Sequence, residues 1–210
     1  MIFCKAPIPG QVKTRLAQCI GDHEAAAIHR HLVLHCLNTI TSPMLTRVEL
    51  WCSPSMTDPF FMHCRDEYGV ELKQQAEGDL GQRMSTAFRS ALQDADFAVA
   101  IGTDCPAISL AYVRQALDLL ANHQAPVIGP AEDGGYVLLG LRRYQPALFE
   151  DIPWGGDQVL AETCGRLTQK PLLLPELWDV DYAEDLRRLR DTQTGIHVTN
   201  ALRDLLNTVM

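Results

Sequence analysis

The chain has 210 residues, of which 47% are hydrophobic and 21% are charged, a composition typical of a globular protein with a large core. Its 26 acidic residues outnumber 18 basic ones, and the resulting net charge of -8 disfavours nucleic acid as the main partner. No apolar run reaches the roughly 18 residues of a membrane span, and the first residues lack the shape of a signal peptide.

The seven cysteines are odd in number and are never spaced as C-x-x-C. This pattern favours reduced thiols over a disulfide framework or a zinc ribbon, so we predict a cytoplasmic protein. The length suits a single domain that spans residues 1–210.

Short apolar or β-branched runs alternate with longer amphipathic runs along the chain. They predict strands at residues 1–4, 46–53, 70–75, 97–102, 125–131, 136–141 and 171–177. They predict helices at 22–40 (with Asp22 as N-cap), 79–95, 109–121 and 157–168, followed by two C-terminal helices. This alternation indicates an α/β fold with a mainly parallel, doubly wound sheet and helices on both faces. Ligands of such sheets bind at the carboxyl ends of the strands.

The loop after the first strand, within FCKAPIPGQVKTRL (residues 3–16), concentrates positive charge in an otherwise acidic chain. Its cations are Lys5, Lys13 and Arg15. Pro9 and Gly10 shape the loop, and a glycine lets backbone N–H groups approach an anion. Arginine adds a two-pronged donor suited to phosphate. A Walker A loop would need a further glycine, and the alternative here is a solvated basic loop.

A second loop, in AIGTDCP (100–106), places Asp104 just beyond an apolar strand of the kind that is covered on both faces. A carboxylate at this position is a suitable ligand for Mg²⁺ or Mn²⁺ carrying a diphosphate. The alternative is that Asp104 caps the following helix, although Pro106 and Ser109 already provide a helix start.

A third loop lies in GPAEDGGYVLLGL (129–141). Gly134 and Gly135 permit close approach of a ligand to the backbone, and Asp133 can bind a sugar hydroxyl, an acceptor or a second metal. A plain hairpin turn explains the D-G-G sequence nearly as well.

A fourth loop, WDVDYAEDL (178–186), carries Asp179 and Asp181 on one side of an extended segment, so at least one of them reaches the catalytic edge. Asp181 can also cap the next helix, with Glu184 as its capping-box partner, and the two roles are compatible.

Two weaker patterns complete the candidates. His31 and His35 are four residues apart on a helix, a spacing that can bind zinc, but neighbouring residues look like core and no acidic third ligand is evident. In EGDLGQRM (77–84), Asp79 and Arg83 form either a helix-surface ion pair or part of a glycine-rich helix entry that faces a nucleobase.

Five motifs occur in order along nearly the whole chain: FCKAPIPGQVKTRLA, EGDLGQRM, IGTDCPAI, GPAEDGGYVLLGL and VDYAEDL. Together they resemble a bacterial glycosyltransferase-A-like family, some members of which are linked to arsenosugar biosynthesis. The resemblance extends to the molybdenum-cofactor and phospholactate guanylyltransferases, which have a related K-[ST]-R-L phosphate loop.

The resemblance implies a Rossmann-like nucleotide-diphosphosugar transferase (GT-A) fold and a metal-dependent transferase. The expected reaction is glycosyl transfer from a nucleotide-diphosphosugar to a small-molecule acceptor. The alternatives are nucleotidyl transfer from a nucleoside triphosphate to a phosphorylated acceptor, and a non-catalytic nucleotide-binding domain. The same residues serve both reactions, so the preference for glycosyl transfer rests on the resemblance alone.

The resemblance assigns Lys13 and Arg15 to the nucleotide phosphates and Asp104 and Asp181 to the metal, and the loop chemistry described above adds the other candidate residues. Asp104 and Asp181 would hold Mg²⁺ or Mn²⁺, and Lys13, Asp104 and the candidate base Asp133 would be catalytic. Contacts to the nucleotide would come from Lys5, Pro9, Gly10, Lys13, Arg15, Asp79 and Arg83. The sugar or acceptor would contact Asp133, Gly134, Gly135 and Trp154.

The sequence departs from the family pattern in three places. The first strand is short, which is compatible with a start upstream of Met1. Tyr182 and Ala183 stand where relatives have Thr-Pro, and PWGGDQV (153–159) has glycines where a Ser or Thr is expected after the tryptophan.

Overall fold

A computed structural model describes residues 1–41, 47–191 and Leu206. In this part of the chain seven strands form one sheet: β1 (Ile2–Lys5), β2 (Glu49–Ser53), β3 (Glu71–Gln74), β4 (Ala98–Ile101), β5 (Val127–Pro130), β6 (Tyr136–Leu141) and β7 (Leu172–Leu173). The helices are α1 (Thr14–Ile20), α2 (Asp22–Ile40), α3 (Pro59–Tyr68), α4 (Leu80–Asp94), α5 (Leu110–Asn122), α6 (Val159–Arg166) and α7 (Ala183–Asp191), with a short 3-10 helix at Pro146–Leu148.

The strands are ordered β3-β2-β1-β4-β6-β5-β7 across the sheet. Neighbouring strands are parallel, except that β6 runs antiparallel to both β4 and β5. The predicted α/β class with a mainly parallel sheet is confirmed. The exception arises because β5 returns directly into β6 through a short hairpin at residues 131–135, which leaves no room for a crossover helix.

Apolar side chains of the strands alternate between the two faces of the sheet. Cys4 and Ile101 pack on the face covered by α2, α3 and α5, whereas Phe3 and Ala100 pack on the face covered by α4 and α6. Because both faces are covered, the central strands are apolar on both sides, which explains their continuous apolar sequences.

Two helices, α1 and α3, were not predicted from the sequence. Helix α3 begins after Asp58, whose carboxylate accepts a hydrogen bond from the N–H of Phe60 (2.8 Å), and Pro59 occupies its first turn. Both are recognised helix-start signals that the sequence displays. Helix α1 begins directly after Lys13, so the basic loop is shorter than predicted and Arg15 is already helical.

Other boundaries differ from the prediction in detail. Asp22 is the first residue of α2 instead of its N-cap, which is Gly21. Strand β7 is limited to two residues, followed by an isolated bridge between Ala131 and Leu177. The second predicted C-terminal helix falls outside the described residues. All seven cysteines are free thiols. Among the described helices, none has the length and apolarity needed to cross a membrane.

Candidate active site

The carboxyl ends of the adjacent strands β1 and β4 open into a cleft of about 660 Å³. The loops that follow these strands, the start of α4 and the segment before α7 all contribute to its wall. Its charged lining residues include Lys5, Lys13, Arg15, Arg83, Asp104 and Asp181. The position agrees with the expectation that ligands of open α/β sheets bind at the carboxyl ends of strands.

Lys13 lies at the centre of this charged group. Its Nζ is 2.9 Å from Asp104 Oδ2 and 3.0 Å from Asp181 Oδ1, and its side chain is only 3% exposed. Its backbone is left-handed (φ 48°, ψ 43°), a conformation that costs a non-glycine residue about 1–2 kcal/mol. Burial disfavours the ammonium, but the two carboxylates outweigh it and raise the pKa of Lys13.

Asp104 follows β4 and is held by its backbone as well as by its side chain. Its carbonyl oxygen accepts a hydrogen bond from the N–H of Val180 (3.0 Å), which brings the segment before α7 to this edge of the sheet. Burial would raise the pKa of Asp104, but Lys13 and His29 reverse the direction and lower it. The N-cap of α5 is Ser109, so the alternative that Asp104 caps that helix is wrong.

Asp181 pairs with two cations, because Arg15 Nη1 lies 3.1 Å from its second carboxylate oxygen. The predicted capping box is wrong in its residues. The carboxylate of Asp185, and not that of Glu184, accepts hydrogen bonds from the N–H groups of Asp181 (2.9 Å) and Tyr182 (2.7 Å). The carboxylate of Asp181 therefore stays directed at the cleft.

His29 reaches the site although the sequence patterns pointed to other histidines. It is 4% exposed; its Nε2 lies 3.0 Å from the carbonyl oxygen of Lys5, and its Nδ1 lies 3.6 Å from Asp104 Oδ1. The signal was its helical phase, because His29 shares a face with the buried Val33 and Cys36. His35 instead contacts the carbonyl oxygen of Pro106 at 3.1 Å.

The start of α4 also lines the cleft, through Gly78, Asp79, Leu80 and Arg83. The ion-pair interpretation of Asp79 and Arg83 is wrong: Asp79 accepts a hydrogen bond from the N–H of Gln82 (2.8 Å) in a capping box. Arg83 Nε donates to the carbonyl oxygen of Gly78 (3.0 Å), and its Nη1 lies 3.4 Å from Ser53 Oγ and 3.5 Å from Gln75 Oε1. The arginine is therefore a cation of the cleft lining that neutral groups hold in place.

The remaining predicted residues lie near the cleft but outside its lining. The exposed Pro9 and Gly10 form the turn before Lys13. The hairpin interpretation of D-G-G is confirmed, with Asp133 Oδ1 accepting a hydrogen bond from the N–H of Gly135 (2.9 Å). Gly134 packs against the backbone of Asp157, and Trp154 packs against Gly81.

The family is decided by comparison with known sequences. Residues 36–156 match the model of DUF2064, a family described as an uncharacterized protein conserved in bacteria. A crystal structure of a protein from Desulfovibrio desulfuricans G20, provisionally assigned as a nucleotide-diphospho-sugar transferase, is 31% identical. The match covers 99% of this chain and 92% of that one, with a TM-score of 0.86. The chain belongs to the DUF2064 family.

More distant structures share the fold of this DUF2064 protein. A cytidylyltransferase from Leptospira borgpetersenii is 15% identical, with a TM-score of 0.59 over 99% of this chain and 91% of that one. Rv0371c from Mycobacterium tuberculosis H37Rv, in complex with manganese, is 16% identical, with a TM-score of 0.56 over 91% and 97% of the two chains. No curated protein matches the sequence. These likenesses confirm the Rossmann-like nucleotidyltransferase and glycosyltransferase fold.

The carboxylates of this site suit a divalent cation that has only one or two protein ligands. Asp104 and Asp181 converge on one ammonium, and within the described ranges no three acidic, histidine or cysteine side chains form a metal cage. Mg²⁺ characteristically binds through one or two carboxylates together with substrate phosphates and water. The donor set therefore fits a metal that arrives with, or is completed by, a phosphate ligand.

Asp179 is a further carboxyl group of this site. Burial, then the charge of Asp104, raises its pKa to about 7, and the neighbouring Asp133 and Asp181 act in the same direction against Lys13. The sequence analysis treated Asp179 and Asp181 as a pair, but the structure gives them different environments. Asp181 forms ion pairs, whereas burial makes Asp179 a weaker acid.

Replacing Asp179 by Asn is expected to change how the free energy of unfolding depends on pH in the metal-free protein. Asp179 takes up its proton near pH 7 in the folded state and near pH 4 in the unfolded chain. Protonation of Asp179 therefore stabilises the fold at low pH, and this stabilisation is lost as pH rises between those values. Asn stays neutral, so Asp179→Asn should gain about 2 kcal/mol relative to wild type between pH 5 and pH 7.5. Urea unfolding in EDTA measures this. Parallel pH curves for the two proteins would contradict it, and the exposed Asp94→Asn is the control.

Proposed function

We propose that this DUF2064 protein is a metal-dependent transferase that moves a glycosyl group from a nucleotide-diphosphosugar to a small acceptor. One observation carries the proposal: the buried Lys13 is held between Asp104 and Asp181 in a cleft whose other walls supply Arg15, Arg83 and Lys5. Carboxylates for a cation and cations for phosphates are thus assembled within one cleft of an acidic protein.

The charged groups have complementary roles in this reaction. Asp104 and Asp181 would hold Mg²⁺ or Mn²⁺, which supplies neutralisation of the diphosphate charge. Lys13 and Arg15 donate hydrogen bonds to the phosphate oxygens on which negative charge develops as the nucleoside diphosphate leaves. Donors held in place before reaction stabilise that charge with little reorganisation, and the ion pair with Asp181 holds Arg15 in this way.

In this proposal the residues that line the cleft bind the nucleotide, and a hairpin outside the lining meets the second substrate. Lys5 and Arg83 would contact the nucleotide, with Asp79 fixing the start of α4 through its capping box and the Pro9–Gly10 turn beside the phosphates. The hairpin loop with Asp133, Gly134 and Gly135, together with Trp154, would meet the sugar or the acceptor. Asp133 is exposed at the tip of that loop, where it can accept a proton from an acceptor hydroxyl.

The assignment of the 31% identical relative as a nucleotide-diphospho-sugar transferase supports glycosyl transfer. Nucleotidyl transfer is the alternative, because the same cations suit a pyrophosphate leaving group and the fold is shared with a cytidylyltransferase. A non-catalytic nucleotide binder is the third possibility, and it would bind ligands without turning them over.

Thermal unfolding with a panel of nucleoside di- and triphosphates and nucleotide sugars, each with and without Mn²⁺, tests the proposal. A ligand that binds the folded state raises the melting temperature by mass action. Metal-dependent stabilisation by one diphosphate and its sugar conjugate is expected, with Lys13→Ala and Arg15→Ala weakening it. Stabilisation by a triphosphate alone would replace glycosyl with nucleotidyl transfer. The absence of any shift would refute a nucleotide-dependent enzyme.

A further inference from the structure

The two carboxylates proposed to hold the metal already share a cation of the protein itself. Lys13 Nζ lies 2.9 Å from Asp104 and 3.0 Å from Asp181, whereas these side chains are 44% and 34% exposed toward the cleft. The ammonium thus lies on the protein side of the pair and neutralises it from within. A metal ion would approach the same oxygens from the cleft.

An ammonium and a divalent cation cannot both be fully coordinated by this pair. Mg²⁺ requires oxygen ligands at about 2.0–2.1 Å, and it would repel an ammonium that contacts the same oxygens. The second oxygen of each carboxylate is in a different situation: Asp181 Oδ2 pairs with Arg15 at 3.1 Å, whereas Asp104 Oδ1 is buried without a hydrogen-bond partner among the described residues, 3.6 Å from His29 Nδ1. The oxygens that remain exposed to the cleft are therefore those that Lys13 contacts or lies beside.

We propose that Lys13 and the divalent cation compete for Asp104 and Asp181, so that the metal binds weakly until a phosphate ligand draws the ammonium away. This inference rests on the proposed function, because it assigns that site a built-in coupling between metal and anion. Lys13 has a flexible stem and lines the cleft together with Arg15, so its charge can move from the carboxylates to a phosphate while remaining paired.

The coupling between metal binding and phosphate binding is positive, and it must act equally in both directions. A phosphate ligand that takes up Lys13 must strengthen metal binding, and the metal must strengthen binding of that ligand by the same factor. The consequence is a site that resists filling by free divalent cations and accepts the metal together with the nucleotide.

The first test measures the affinity of the full chain for Mn²⁺ in the absence of any phosphate ligand. The electron paramagnetic resonance signal of free Mn²⁺ reports how much of the ion is bound. Lys13→Met is expected to bind Mn²⁺ about tenfold or more tightly than wild type, because it removes a charge in contact with both ligands. Lys170→Met, an exposed lysine outside the cleft, changes net charge equally and should leave the affinity unaltered. Adding Asp104→Asn to Lys13→Met should reverse the gain.

A second measurement uses the wild-type protein and does not depend on a variant that folds. Amine acylation followed by peptide mass mapping reports the accessibility of Lys13, which is 3% exposed when paired. Saturating Mn²⁺ should increase labelling of Lys13 several-fold and leave Lys170 unchanged.

The outcomes separate this inference from the proposed function. Unchanged or weaker Mn²⁺ affinity in Lys13→Met, or unchanged labelling of Lys13 at saturating Mn²⁺, would overturn the competition even if nucleotides still stabilise the protein in a metal-dependent manner. If neither protein binds Mn²⁺, alone or with a nucleoside diphosphate, both the competition and the metal-dependent transferase are refuted.

Discussion

Asp104→Asn should abolish the metal-dependent part of nucleotide binding while leaving the protein folded. The substitution removes one of the two carboxylates that converge in the cleft, and it leaves the ammonium of Lys13 paired with Asp181 alone. Losing a unit charge in contact with a divalent cation should weaken Mn²⁺ affinity on the order of a hundredfold or more. Asn keeps an oxygen that can accept the hydrogen bond of Lys13, so the fold should survive.

The measurement is the Mn²⁺ dissociation constant in the presence of the stabilising nucleotide, together with the melting temperature of the free protein. Asp94→Asn, at the exposed end of α4, makes the same chemical change far from the cleft and should retain wild-type affinity. A wild-type Mn²⁺ affinity for Asp104→Asn would show that the metal binds elsewhere.

The second large effect is structural and concerns the hairpin between β5 and β6. Gly134 has φ +86°, and a Cβ at this position would lie 2.0 Å from the carbonyl oxygen of Asp157. Its own carbonyl accepts a hydrogen bond from the N–H of Leu160 (2.9 Å), so the loop cannot move away without breaking that contact. Gly134→Ala should therefore lower the free energy of unfolding by about 3 kcal/mol or more.

A matched control separates collision from backbone strain. Gly155 has nearly the same φ of +85°, but an added Cβ there would meet no atom within 4 Å. Gly155→Ala should cost only the strain of a left-handed alanine, about 1–2 kcal/mol. Urea unfolding of both variants measures the difference, and equal losses would contradict the close packing of the hairpin against Asp157.

Much of the site was predictable from the sequence because one topological rule organises it. Parallel strands with helical connections place the loops after β1 and β4 at the same edge, so Lys13 and Asp104 were expected to be neighbours. The segment with Asp181 follows the last strand and joins them there. Residue type then indicated the chemistry, because carboxylates bind divalent cations and paired cations bind phosphates.

Local competition between side chains was not predictable in the same way. Asp79 precedes α4, whereas Glu184 and Asp185 both lie in the first turn of α7, and each of the three can accept hydrogen bonds at a helix start. Which side chain does so depends on the residue at which its helix begins. Since a helix boundary is uncertain by one or two residues in a sequence, the choice between Glu184 and Asp185 is decided only when the chain is folded.

Sequence patterns were enough to predict the class of fold, the edge of the sheet that carries the chemistry and the charged residues gathered there. How these residues pair is visible only in the folded chain: Lys13 bridges Asp104 and Asp181, His29 lies beside Asp104 from α2, and the Asp133 loop lies outside the cleft. The difference is one of distance along the chain. Periodicity and loop chemistry are local properties of a chain, whereas Lys13 and Asp181 are separated by 168 positions and meet only through packing.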